Sequence, residues 1–89
     1  MVEKIYTITS GSGLHARPAT LLVNTVNSCA SEVFIEYKNK QINLKSIIGV
    51  MSLGIPEGAK VKVSAEGYDS VQVIESIDVV MQQEGLGVW

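Results

Sequence analysis

The eight residues from Gly13 to Thr20, Gly-Leu-His-Ala-Arg-Pro-Ala-Thr, constrain this chain more than any other stretch. They hold its only histidine, His15, and its only arginine, Arg17. From Ala16 onward, apolar residues recur at helical intervals, which predicts an amphipathic helix with one buried stripe. Pro18 fits the first turn, where backbone N–H groups have no partner inside the helix. The sequence therefore predicts that His15 is the N-cap residue of this helix.

A histidine in that position favours phosphoryl chemistry. The N-terminus of a helix carries free N–H groups and a partial positive charge, so it binds anions, and phosphate above all. Imidazole is a nucleophile that can hold a phosphoryl group. The resulting dianion would be stabilised by the N–H groups of Ala16 and Arg17 and by the Arg17 guanidinium. On these residues alone, a solvent-facing cap histidine without a chemical role remains an alternative.

Length and composition indicate one small domain. A chain of 89 residues can bury one modest core, so we expect a single domain over residues 1–89. No apolar run approaches the roughly 20 residues of a membrane span, and the first residues lack the layout of a signal peptide. The single Cys29 excludes an internal disulfide framework and suits a reducing compartment. We therefore expect a cytoplasmic protein without membrane insertion.

Charge and residue types exclude several classes of function. The net charge of −2 divides into +3 over residues 1–62 and −5 over residues 63–89, and so acidic a last segment is a poor nucleic-acid binder. One histidine, one cysteine and no clustered carboxylates cannot build a three-ligand metal site. No serine or cysteine stands with the histidine in a recognisable triad pattern. A pure interaction module without chemistry stays open.

The remaining chain predicts an α+β protein. Ser46 precedes a short apolar cluster that ends at Gly54, which predicts one or two helical turns capped by Ser46. A last helix is predicted from an Asp69 cap to a stop at Gly85. The element order is βαββαβα, with the helices on one face of an antiparallel sheet. Its strands are predicted at Val2–Ile8, Glu32–Tyr37, Gln41–Leu44 and around residues 60–65, with a tight turn at Lys38 and Asn39.

Two motifs resemble those of a known family. Residues Gly13–Ala19 resemble the active-site signature of HPr, the histidine phosphocarrier family of the bacterial sugar phosphotransferase system. Residues Asn43–Gly54 are similar to its second signature, around a regulatory serine, in the version found in low-GC Gram-positive bacteria. The resemblance covers essentially the whole chain. It implies the HPr-like fold, a two-layer open-faced sandwich whose four strands are arranged 1-4-2-3.

The resemblance also implies roles for residues of the first motif. His15 would accept a phosphoryl group on Nδ1 from Enzyme I, charged by phosphoenolpyruvate, and pass it to the IIA domain of a sugar permease. Arg17 would neutralise the phosphate, and the amide of Ala16 and the hydroxyl of Ser12 would contribute to its surroundings. Such a chain is a carrier rather than an enzyme, needs no cofactor or metal, and is expected to be a monomer.

The second motif implies regulation and docking. Ser46 would be the target of the ATP-dependent HPr kinase/phosphorylase in carbon catabolite control, with a catabolite-control transcription factor as a further partner. A two-turn helix cannot bury all its faces, so part of its apolar cluster must be exposed. The docking surface implied by the resemblance consists of Thr20, Ile47, Ile48, Met51 and Gly54.

A rival function exists within the same fold. Regulatory relatives that have lost phosphocarrier work replace the histidine. This chain keeps His15 and Arg17 together, which favours the phosphocarrier.

Overall fold

The computed structural model describes all 89 residues as one antiparallel sheet with helices on one of its faces. The sheet order is β3-β2-β4-β1-β5, so the predicted arrangement of the first four strands is confirmed and a fifth strand is added. The elements are β1 (Val2–Ile8), α1 (Arg17–Val26), β2 (Glu32–Tyr37), β3 (Lys40–Asn43), α2 (Ile47–Ser52), β4 (Lys60–Glu66), α3 (Ser70–Gln83) and β5 (Gly87–Val88).

The fifth strand corrects the predicted count of four. After α3 the chain reverses at Gly85, whose φ is 66°, and Gly87 and Val88 then pair with Ile8 and Thr7 of β1. A β-carbon on Gly87 would lie 2.9 Å from the sulfur of Met81 and 3.0 Å from the backbone oxygen of Thr7, so glycine favours the close approach of the two strands. Two residues are too few to show an alternating pattern, so the sequence carries no signal for this strand.

The core lies between the sheet and the helices, as the alternation of the strands predicts. Along β1, Tyr6 and Ile8 are fully buried on the helix side, whereas Ile5 points to the opposite face and is 58% exposed. That opposite face is charged: Lys62 lies 3.7 Å from Glu3 and 3.5 Å from Glu36. One cluster of 20 buried side chains makes up the core, and its largest members include Leu14, Leu22, Val26, Val33, Ile35, Leu44, Val50, Ile55, Ile77 and Met81.

Two further features bear on the sequence predictions. Asp69 is the N-cap residue of α3, as predicted, but its carboxylate does not cap the helix. Instead it accepts hydrogen bonds from the hydroxyl of Ser31 and from the amide of Ala30, the latter at 2.8 Å. None of the three helices has the length and apolar character that crossing a membrane requires.

Candidate functional site

The loop that leads to His15 is fastened to the segment after α2. Gly13 has a φ of 67°, and a β-carbon there would lie 2.1 Å from the backbone oxygen of Ile55, so only glycine fits. The next residue, Leu14, is fully buried, and its amide donates to the same Ile55 oxygen at 3.0 Å. His15 follows directly and is exposed. The loop thus holds an exposed histidine against a rigid backbone support.

The helix begins one residue later than predicted. Its N-cap is Ala16 and not His15, and Ala16 has a φ of 47° and a ψ of −111°. A positive φ is uncommon for a residue with a β-carbon, and helical geometry starts only at Arg17 because Ala16 cannot belong to the helix. No side chain caps this end of α1. His15 therefore precedes an uncapped helix N-terminus by one residue.

The first turn of α1 is arranged to leave its positive end free. Pro18 is buried and contributes no N–H group. The amide and the hydroxyl of Thr20 both donate to the Ala16 carbonyl, each at 3.0 Å. These two hydrogen bonds hold the carbonyl group of the N-cap residue in place. No acidic residue lies in the turn. An anion next to His15 would therefore meet backbone N–H groups without a competing carboxylate from the helix itself.

Arg17 is held by a residue that the sequence analysis did not single out. Its guanidinium lies 3.1 Å from a carboxylate oxygen of Glu84, with the two side chains 73% and 36% exposed. Glu84 is the C-cap residue of α3, where the helix dipole disfavours a negative charge. The sequence carried one signal for this ion pair: an acidic residue at a helix C-terminus is unfavourable there unless a cation pairs with it. Its partner, 67 positions away, could not be deduced.

Ser46 caps α2 as predicted. Its backbone is extended, with a φ of −106°, and its hydroxyl oxygen accepts a hydrogen bond from the amide of Gly49 at 3.0 Å. The side chain is also exposed to solvent. A β-carbon on Gly49 would lie 2.5 Å from a methyl carbon of Ile42, so the glycine lets α2 pack closely on β3. An accessible hydroxyl thus stands at the positive end of a short helix.

One face of α2 is apolar and open to solvent. Val50 is fully buried, whereas Ile48 is 83% exposed and Ile47 and Met51 are each 38% exposed. Only part of the cluster therefore belongs to the core, as the length of the helix required. We refer to Ile47, Ile48 and Met51 as the α2 surface. The helix that carries it packs against α1, whose first residue is Arg17.

The other predicted site residues lie around this region. Thr20 is half-buried in α1, and Gly54 is exposed just after α2 with a φ of 62°. Ser12 is exposed in the turn before Gly13. The molecule has two surface hollows, and His15, Arg17 and Ser46 line neither of them. No group of three histidine, cysteine, aspartate or glutamate side chains is placed to hold a metal ion. The reactive groups thus lie on an open surface, which suits a macromolecular partner.

Comparison with known proteins agrees with this geometry. A family model described as the PTS HPr component phosphorylation site matches residues 2–83. The structure of HPr-C-His from Thermoanaerobacter tengcongensis is 42% identical, with 94% of each chain covered and a TM-score of 0.90. The histidine-containing phosphocarrier protein of Mycoplasma is 35% identical over 99% of this chain and 100% of that one, with a TM-score of 0.94.

A third similar structure is a catabolite-repression protein. Crh of Bacillus subtilis, described as a dimer with a swapped domain, is 38% identical over 94% of this chain and 97% of that one, with a TM-score of 0.72. The match of the family model to nearly the whole chain, together with these likenesses in fold and sequence, decides the family. The chain belongs to the HPr family, the phosphocarriers of the phosphotransferase system, which carry a phosphoryl group rather than act as enzymes.

Proposed function

We propose that His15 accepts a phosphoryl group from Enzyme I, which takes it from phosphoenolpyruvate, and passes it to the IIA domains of sugar permeases. The observation that carries the proposal is the position of His15, exposed and directly before the uncapped N-terminus of α1. The proposal takes residues 1–89 as one HPr domain that works in the cytoplasm as a monomer.

The chemical step is a transfer between two nucleophiles. The Nδ1 lone pair of His15 forms the new bond to phosphorus as the bond from phosphorus to the donor breaks, and the proton that the His15 ring gives up balances the one taken up by the donor's leaving group. The phosphate dianion is then stabilised by the free amides of the first turn and by Arg17. Arg17 leaves Glu84 at little cost, because an exposed ion pair contributes only about 0–1 kcal/mol. Passing the group on reverses these steps.

The α2 surface serves as the docking site in this proposal, together with Thr20 and Gly54. Exposed apolar side chains, here on a helix that packs against α1, mark a surface that a partner covers. Donor and acceptor bind the same surface in turn, because each must reach His15. A small shared patch therefore accounts for several partners.

We further propose that Ser46 is phosphorylated by the ATP-dependent HPr kinase/phosphorylase, and that a catabolite-control transcription factor recognises the product. The γ-phosphoryl group of ATP moves to the serine hydroxyl, which is exposed and borders the α2 surface. The likeness to Crh, a catabolite-repression protein, supports this regulatory role. The hydroxyl of Ser12 and the amide of Ala16 complete the surroundings proposed for the phosphate on His15.

Labelling with Enzyme I and radioactive phosphoenolpyruvate tests the carrier function. We expect the label to be lost in acid and retained in base, since a P–N bond breaks when the imidazole leaving group is protonated. His15→Ala should abolish labelling and keep the circular dichroism spectrum of the parent, because the side chain is exposed. Ser46→Ala is the matched control and should still be labelled. Undiminished labelling of the His15→Ala protein would refute the proposal.

A further inference from the structure

The three methionines of this chain differ in their access to solvent. Met81 of α3 is fully buried, Met51 of α2 is 38% exposed and Met1 is 74% exposed. A thioether that an oxidant reaches is converted to a sulfoxide, which is polar where the thioether is apolar. Exposure therefore leaves Met51 and Met1 open to oxidation in the folded protein, while the core protects Met81.

Met51 is the one residue of the α2 surface that an oxidant can alter. It follows Ile47 by four residues and Ile48 by three, so the three side chains are neighbours on one face of the helix. The two isoleucines are hydrocarbon side chains and do not react with mild oxidants. The apolar character of the α2 surface thus depends on the oxidation state of a single sulfur atom.

The fold does not depend on that sulfur atom. Met51 belongs neither to the 20 buried side chains of the core nor to the partly buried hydrophobic side chains packed against them. Val50, the preceding residue, is fully buried and anchors α2, and Ser46 caps the helix through the amide of Gly49. An oxygen atom added to Met51 therefore changes the surface and leaves the helix in place.

We propose that Met51 is a reversible oxidation site, at which hydroperoxides weaken docking on the α2 surface. The inference rests on the proposed function, because the α2 surface matters here as the place that Enzyme I and the IIA domains cover. It gives that surface a means of regulation that is independent of Ser46.

The modification is a two-electron oxidation of the thioether. A lone pair of the Met51 sulfur attacks one oxygen of hydrogen peroxide, the O–O bond breaks and an S–O bond forms. The proton on the transferred oxygen passes to the departing hydroxide, so that the second product is water. Methionine sulfoxide reductase reverses the change, since two thiols are oxidised to a disulfide and the oxygen leaves as water.

The sulfoxide opposes docking because its oxygen atom must lose its bound water when a partner covers the surface. The adjacent hydroxyl of Ser52 is already engaged, since it donates to the Gly49 carbonyl at 2.6 Å. Burying a polar group without a hydrogen-bond partner is unfavourable, so we expect the apparent dissociation constant for Enzyme I to rise by at least about fivefold.

Mild treatment with hydrogen peroxide tests the proposal. The peroxide is removed with catalase, peptide mass spectrometry locates the added oxygen, and labelling by Enzyme I is measured over a range of concentrations of the chain. We expect oxygen at Met51 and Met1 but not at Met81, an unchanged circular dichroism spectrum, and weaker association with Enzyme I. Reduction by methionine sulfoxide reductases of both stereospecificities should restore the association.

Two variants identify the responsible atom. Each is compared with its own untreated sample, because Met51 itself belongs to the proposed docking surface. Met51→Leu should lose no association on treatment, although its Met1 is oxidised. Cys29→Ser should lose as much as the parent, which separates the effect from oxidation of the half-buried thiol.

The outcomes separate this inference from the proposed function. An untreated parent that Enzyme I does not label would overturn the proposed function, and the inference with it. A parent that is labelled with the same concentration dependence before and after complete oxidation of Met51 would overturn the inference alone. A Met51 that stays unmodified while Met1 is oxidised, or an equal loss in the treated Met51→Leu protein, would overturn it as well.

Discussion

At the scale of single residues, the proposed site depends on how the Arg17 guanidinium is shared between Glu84 and the phosphate on His15. The guanidinium contacts Glu84 in the structure, while the proposed transfer needs it at the phosphate. The two demands are compatible because the ion pair is exposed and water competes for both charges. Glu84 holds the guanidinium in one place until a stronger anion is present. A phosphate dianion is such an anion, since bidentate contacts between arginine and phosphate are among the strongest hydrogen bonds in proteins.

Substitutions at Arg17 should affect transfer and leave folding nearly unchanged. Arg17→Lys keeps the charge and loses the planar fork, so its transfer rate from Enzyme I should lie between those of the parent and Arg17→Ala. Rates are compared in single-turnover labelling, with thermal unfolding as the control for folding. Equal rates in all three proteins would show that the helix amides suffice without Arg17.

Glu84→Gln separates the two roles of the ion pair. If Glu84 only competes with the phosphate for the Arg17 guanidinium, phosphoryl transfer to the variant should be faster by up to about fivefold. That factor corresponds to the roughly 1 kcal/mol that an exposed ion pair contributes at most. The same single-turnover labelling measures the effect. Slower transfer would instead mean that Glu84 holds Arg17 in the position that the reaction needs.

At the scale of elements, α2 carries both the proposed modification site and the proposed docking surface. Ser46 is its N-cap, and the exposed face of the helix begins at the next residue. A phosphate at Ser46 brings a charge of about −1.5 to −2 to the positive end of the helix, where it is tolerated. The same charge must be desolvated, or must meet an acidic partner, when the α2 surface is covered. We therefore expect the proposed modification to act on association and to leave the fold in place.

Two aspartate substitutions at opposite ends of α2 test this account. Ser46→Asp should leave the thermal unfolding midpoint unchanged or raised, because the charge lies at the N-terminus of the helix. Ser52→Asp, in the last turn, should lower it, because there the dipole disfavours the charge and the bond from Ser52 to the Gly49 carbonyl is lost. Differential scanning calorimetry of the two variants measures both midpoints.

Transfer from Enzyme I provides the second measurement on Ser46→Asp. Its concentration dependence should show weaker association, and added salt should relieve the part caused by repulsion. A Ser46→Asp protein that docks normally but is partly unfolded would contradict this account and favour a conformational switch.

At the scale of the whole molecule, long-range contacts hold the ends of the elements together. Asp69, at the start of α3, binds the hydroxyl of Ser31 and the amide of Ala30 in the loop before β2. These hydrogen bonds, with that from Ser31 foremost, lower the pKa of Asp69 below its ordinary value. The folded state therefore binds the Asp69 proton less readily than the unfolded chain does.

The sign of that shift predicts how stability depends on pH. A lowered pKa contributes stability above the ordinary pKa of aspartate, and the contribution is lost as the pH falls through the lower value in the folded state. Asp69→Asn should therefore lower the unfolding midpoint at neutral pH, with a difference that shrinks in acid. Glu75→Gln, at an exposed position on the same helix, is the control and should show no such trend. A constant difference between Asp69→Asn and its parent at all pH values would contradict the assignment.

The sequence by itself determined the features that depend on neighbours along the chain. The Ser46 cap needs only Gly49, three residues later, and the alternation of the strands assigns their two faces. The signature around His15 indicated a histidine beside a helix N-terminus, and the structure retains that relation. Such short-range interactions can be predicted because the residues involved are close together in any compact conformation.

The tertiary structure decided what depends on residues far apart. Ala16 replaces His15 as the cap, in a loop that Gly13 fastens to Ile55, more than 40 positions later. Arg17 meets Glu84 because the ends of α1 and α3 lie together, and β5 exists because β1 has a free edge beside the end of α3. No local periodicity or motif in the sequence predicts these contacts, because each is created by the packing of elements on one sheet. Their energies are small individually, and only the assembled core places their partners within reach.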